Sequence, residues 1–148
     1  MPILVLSRRT TVSNQPSQAF IFASWFVLGA GALSFLVGLW NAELQLNEQG
    51  FFFTVLTFGL FAAVTVQKCV RDKMEGIFVT DIYYGISWFC AILSVILLCV
   101  GVWNSGLLLS EKGFYVMAFL LSLFGAITVQ KNTRDLQSQN LAPPKKEF

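Results

Sequence analysis

The chain has 148 residues, of which 55% are hydrophobic and 12% charged, with a formal net charge of +2. Soluble domains carry roughly 25% charged residues, so there is too little polar surface here for a water-soluble globule. A charge of +2 with no basic stripe excludes a nucleic-acid-binding protein.

Four uncharged apolar runs follow in chain order, at 19–39, 50–67, 82–103 and 113–130. A run of about 21 residues at 1.5 Å per residue crosses roughly 32 Å, the thickness of a bilayer core. Residues 1–18 precede the first span with Arg8 and Arg9. Ser7-Arg8-Arg9, an apolar run and Ala30-Gly31-Ala32 together have the outline of a cleavable twin-arginine signal. The run continues to Leu39, however, and cleavage would remove half of a repeat, so a retained span is expected.

Between the first two spans lies a short polar connection from Asn41 to Gln49, and Asn104 to Lys112 is its counterpart between spans three and four. Trp40 and Trp103 end spans one and three, where an indole suits the headgroup layer. Asn41 and Asn104 are expected to end those helices in the left-handed conformation, and Asn47 and Ser110 to cap the next ones. Glu48 and Glu111 then meet the positive ends of the helix dipoles, or form an acidic pair at the outer mouth of the bundle. Of the ten Lys and Arg residues, only Lys112 falls on this side; the other nine lie in the first segment, the stretch Lys68–Asp81 or the segment from Lys131 onward. The positive-inside rule therefore places both termini in the cytoplasm.

Self-similarity at an offset of 63 is the strongest signal in the chain. Gly38-Leu39-Trp40-Asn41 recurs as Gly101-Val102-Trp103-Asn104, and Ser24-Trp25-Phe26 as Ser87-Trp88-Phe89. Thr65-Val66-Gln67-Lys68 with Arg71-Asp72 recurs as Thr128-Val129-Gln130-Lys131 with Arg134-Asp135. The chain reads as all-α, an integral membrane protein with four transmembrane helices in two tandem, parallel-oriented hairpin repeats, 19–72 and 82–135. These are related by a pseudo-two-fold axis along the membrane normal. Residues 136–148 are expected to be a disordered cytoplasmic tail.

The pattern G-[LV]-W-N-x-x-L-x-L-x-E-x-G-F, then L-F-x-A-x-T-V-Q-K-x-x-R-D, occurs twice. It resembles the YiaA/YiaB two-helix domain family of bacterial inner-membrane proteins, over about residues 19–136. The resemblance implies inner-membrane residence and four spans. It brings no activity, substrate or catalytic residue.

The repeated side chains have structural and functional readings. Lys68 with Asp72, and Lys131 with Asp135, are spaced to pair along a helix. Lys68, Arg71, Lys131 and Arg134 are candidate contacts for an anionic lipid headgroup, with Arg71 and Arg134 as its clamps. Small residues at Ala30, Ser34 and Gly38, at Gly59 and Ala63, and at Ala118, Ser122 and Ala126 are candidate helix-packing stripes. Cys69 lies beside Lys68 and near Arg71, which would activate a thiol, although its repeat counterpart is Asn132. Cys90 and Cys99 fall on opposite faces of one helix and cannot bridge.

No His, no metal-ligand cluster and no nucleophile–base pair is present, and no ionisable group apart from thiol and phenol lies within the spans. An enzyme is not expected, no catalytic, cofactor or metal site is assigned, and no cofactor is implied. A pump or proton-coupled transporter lacks its usual intramembrane charge. The expected function is structural or accessory, packing with itself or a membrane partner in contact with lipid. The alternative is a small oligomeric channel for an ion or solute, with Ser34, Thr57, Ser94 and Ser122 lining its path.

Overall fold

The computed structural model describes residues 15–141 and contains four long helices. They are α1 (Gln18–Asn41), α2 (Leu46–Met74), α3 (Asp81–Asn104) and α4 (Leu109–Asn140). Each is long and apolar enough to cross a membrane. Backbone polar groups are satisfied within the helices themselves, which a hydrocarbon environment demands. Phe22, Phe26, Phe61, Ile82, Met117 and Phe124 all point outward, and such apolar faces are stable only against lipid or another apolar surface.

The start signals are themselves repeated. Ser17 accepts from the Phe20 N–H at 3.2 Å, and Thr80, its counterpart, from the Tyr83 N–H at 3.4 Å. The second helix of each repeat begins differently. The backbone N–H of Gln45 donates to Glu48 at 2.9 Å, and that of Leu108 donates to Glu111 at 2.7 Å. Each carboxylate thus reaches back from the first turn to the residue before it. The caps are Gln45 and Leu108 rather than Asn47 and Ser110, which fall inside the helices.

Asn41 and Asn104 also depart from expectation. Both are the last residues of right-handed helices, and among the described residues no non-glycine has positive φ. Each side-chain amide instead donates to the carbonyl one turn back, Val37 and Val100 respectively, at 2.8 Å. Trp40 and Trp103 are among the most exposed residues of the fold, as residues of a headgroup layer would be.

Gly76, at φ +74°, ends α2. The Gly76 N–H bonds to the Lys73 carbonyl and the Ile77 N–H to that of Asp72, the paired bonds of a Schellman ending. At the equivalent point α4 has Gln139, and the helix continues to Asn140. Residues 136–140, expected in a disordered tail, are therefore helical; 142–148 and 1–14 lie outside the described residues.

The helices pair across the repeats. α1 packs along α4 and α3 along α2, with α2 and α4 meeting at the centre, while the two helices of one repeat touch little. An offset of 63 residues exchanges the first pair with the second, as a pseudo-two-fold axis requires. The repeat is a hairpin in sequence, but its helices are separated in space by those of its sister.

The interior divides along the membrane normal. Toward the tryptophan end it is aromatic, with Phe35 and Tyr115 edge to face at 5.3 Å, Phe52 stacked on Tyr115 at 5.8 Å, and Phe119 beside Phe35. Two glycines there make room for rings: Gly38 faces Phe114, and its counterpart Gly101 faces Phe51. Toward the opposite, basic end the interior becomes small and polar, and the candidate site lies there.

Candidate functional site

The site is built from the last turns of α2 and α4, which run side by side in the same direction. Arg71 and Asp72 occur on one helix and Arg134 and Asp135 on the other, so the axis brings each cation to the other repeat's carboxylate. The Arg71 guanidinium lies 2.5 Å from Asp135, and that of Arg134 lies 2.5 Å from Asp72. These groups are mostly shielded, with side-chain exposures of 21%, 14%, 20% and 13% in that order. At such sites a charge-assisted pair counts for more than on an open surface.

Glu75 breaks the symmetry, its counterpart being Ser138. One Glu75 oxygen accepts from Arg71 at 2.7 Å and the other from Arg134 at 2.9 Å. The carboxylate therefore joins the two pairs into one chain, Asp135–Arg71–Glu75–Arg134–Asp72. The hydrogen bond from Arg71, then that from Arg134, hold its carboxyl below the usual carboxylate range.

Less than one turn deeper is a second reciprocal set. Asn132 Nδ2 donates to the Ser24 hydroxyl at 2.9 Å, joining α4 to α1. Cys69, the counterpart of Asn132, lies 3.3 Å from the hydroxyl of Ser87, the counterpart of Ser24, and joins α2 to α3. Cys69 is 1% exposed. The activated thiol that its neighbours in sequence suggest is instead a buried contact.

The expected site residues distribute as follows. Arg71 and Arg134 are committed to carboxylates; Lys68 is exposed and Asp72 pairs with Arg134 in its place; Lys131 pairs with Asp135 at 3.2 Å. Glu48 and Glu111 each bond to the start of their own helix. Ala118, Ser122 and Ala126 are buried on α4, as are Gly59 and Ala63 on α2. On α1 the stripe is displaced by one position: Ser34 is exposed, Ala30 is partly buried, and Gly31 makes the close approach. A Cβ on Gly31 would stand 2.7 Å from the Ser122 backbone nitrogen, and one on Gly125 would stand 2.5 Å from the Leu28 backbone. Ser34 and Thr57 face outward while Ser94 and Ser122 are in the core, so the four hydroxyls share no face. Those of Thr57, Ser94 and Ser122 are bonded to carbonyls of their own helices.

The cross-repeat contacts are made by the residues of the repeated motif, and a family model matches the chain twice. The model is described as the yiaA/B two helix domain, and it covers residues 20–72 and 83–135. The chain belongs to this family. It is 57% identical, over 87% of its own length and 87% of the relative's, to the inner membrane protein YiaA of Escherichia coli. It is 34% identical to the inner membrane protein YiaB of the same organism, over 64% of the chain and 80% of the relative. A third relative, the Bacillus subtilis protein named "Uncharacterized membrane protein YubF", is 38% identical over 46% of the chain and 72% of its own length. No solved structure matches the chain significantly. Family membership, two domain copies and four apolar helices together make the chain an integral membrane protein of four spans.

The cross-repeat partners are what sequence reasoning missed. The one signal available was the equal spacing of Arg71-Asp72 and Arg134-Asp135, which lets each pair answer the other only if the two helices run in parallel and adjacent.

Proposed function

We propose that the chain is a structural or accessory protein of the bacterial inner membrane, without enzymatic activity, which acts by packing against another membrane protein. The observation that carries this reading is the use of the polar groups within the membrane domain. Arg71, Arg134, Ser24, Ser87 and Asn132 join helix to helix, and the outward surface is apolar. A catalyst or a pump needs polar groups presented to a substrate; here they are engaged in holding the bundle together. Both termini belong in the cytoplasm, because nine of ten cations lie on the side of the α2–α3 connection.

Native mass spectrometry of the protein released from its own membrane in mild detergent tests the proposal. A stoichiometric second protein supports it. A homo-oligomer that conducts ions or solutes in liposomes overturns it in favour of the channel. Orientation is tested separately, with a C-terminal fluorescent protein that matures only in the cytoplasm.

A further inference from the structure

The bundle carries a large groove on the side where α2 and α3 pair. It has a volume of about 1100 Å³ and opens between α2, α3 and α4 at the basic half of the bundle, with Gln15, Pro16 and Phe20 at its margin. Its floor and walls are apolar: Val66 and Val70 from α2, Trp88 and Val95 from α3, Leu123 and Ile127 from α4. Its end is charged, with Arg71 and Lys131 facing Glu75 and Asp135.

The pseudosymmetric equivalent lies along α1 and α4, where two glycines bring the backbones together. Gly31 and Gly125 let the α1 and α4 backbones come together, as their near-contacts with Ser122 and Leu28 require. Their counterparts are Ser94 and Ala62, whose Cβ atoms hold the α3 and α2 backbones further apart. Ala91, the small counterpart of Leu28, lies in the groove that results.

We propose that this groove is a binding site for one phospholipid with an ethanolamine-type zwitterionic headgroup. Two observations favour that occupant. The first is depth: from Ala63 to Glu75 on α2 and from Leu123 to Asp135 on α4 the groove runs about 18 Å at 1.5 Å per residue. One leaflet with its headgroup layer is about 20 Å thick. The second is charge. Lys131 uses one of its three donors on Asp135 and keeps others for a phosphate. Each Glu75 oxygen accepts one hydrogen bond and retains a lone pair for an ammonium. At the groove's end Arg71 and Lys131 are already balanced by Glu75 and Asp135, which suits a headgroup of zero net charge, whereas an anionic headgroup would leave a net negative charge there.

The test is native mass spectrometry of the delipidated full-length protein, titrated separately with phosphatidylethanolamine, phosphatidylcholine and phosphatidylglycerol. One phosphatidylethanolamine per chain is expected, held about tenfold more tightly than the other two. Ala91→Phe, which fills the groove from α3, should reduce that binding by at least about tenfold, and Ile92→Phe on the outward face should not. Val95→Trp at the groove margin gives the same reading should Ala91→Phe fail to fold. Glu75→Gln should erase the preference for ethanolamine over choline. Equal binding of the three lipids, tighter binding of phosphatidylglycerol, or indifference to both groove-filling variants overturns the proposal. So does binding that emerges only after removal of residues 1–14, which would assign the groove to the chain's own N-terminal segment.

Discussion

Arg71 in the first repeat is bound to Asp135 in the second, and the same two positions with the repeats exchanged, Arg134 and Asp72, are bound in the same way. Each pair spans the seam between α2 and α4. Arg71 does not close on Asp72, nor Arg134 on Asp135, because residues adjacent in sequence point away from each other around a helix.

Replacing Asp135 by Asn is expected to lower stability by about 1.5–3 kcal/mol, the range for a hydrogen bond to a charged group. Thermal unfolding in detergent measures it. The exchange Arg71→Asp with Asp135→Arg should recover part of the loss, and a double-mutant cycle should return a coupling energy that neither residue shows toward Lys68.

Glu75 gives the basic end a pH dependence of known sign. Its carboxyl is held below the ordinary range by Arg71 and Arg134, so it contributes stability above its unfolded-state pKa. That contribution is lost as pH falls through the lowered folded-state value. Between neutral pH and pH 5 the melting temperature should be insensitive to this group. Below pH 4 it should fall, and less steeply in Glu75→Gln, which has nothing there to protonate.

The closest approach of α1 and α4 makes a sharp comparison among glycines. Gly125→Ala places a methyl against the Leu28 backbone and should cost about 1–3 kcal/mol through overpacking. Gly29→Ala, on the same face-to-face pair of helices but with open space at its Cβ, should be neutral or stabilise by up to about 1 kcal/mol. Resistance to unfolding in sodium dodecyl sulfate separates the two.

Cys69 should resist water-soluble maleimide in the folded protein and react fully once the protein is unfolded, since its thiol is buried against Ser87. Cys69→Asn should be tolerated, because it reproduces on the α2–α3 seam the amide–hydroxyl bond that Asn132 already makes with Ser24. Rapid labelling of the native thiol would contradict the packing of this seam.

The spans and the duplication were legible in the sequence because charge-free runs and an offset of 63 residues are one-dimensional signals. Helix pairing is not. A helix apolar all round does not announce which face meets its neighbour, and so the α1 stripe through Ala30 and Ser34 missed Gly31 by one position. The polar seams were hidden for another reason. Ser24 and Ser87 match between repeats, but their partners, Asn132 and Cys69, differ in chemistry and so do not register as a repeat. The helical extension of α4 beyond Leu136 followed from the lack of a glycine where α2 has Gly76.

The exchange of partners between repeats has a consequence for how such a chain can arise. A lone copy of the two-helix unit would present the seam faces of both its helices unfilled, with an Arg-Asp pair awaiting its reciprocal. Two separate copies would complete each other in the arrangement now found within one polypeptide. The chain is, in effect, a homodimer made covalent by the segment from Glu75 to Thr80, and its halves have since been free to diverge. Glu75, the Asn132–Cys69 difference and the Gly31–Ser94 and Gly125–Ala62 differences are the marks of that freedom, each a feature that strict two-fold symmetry would forbid.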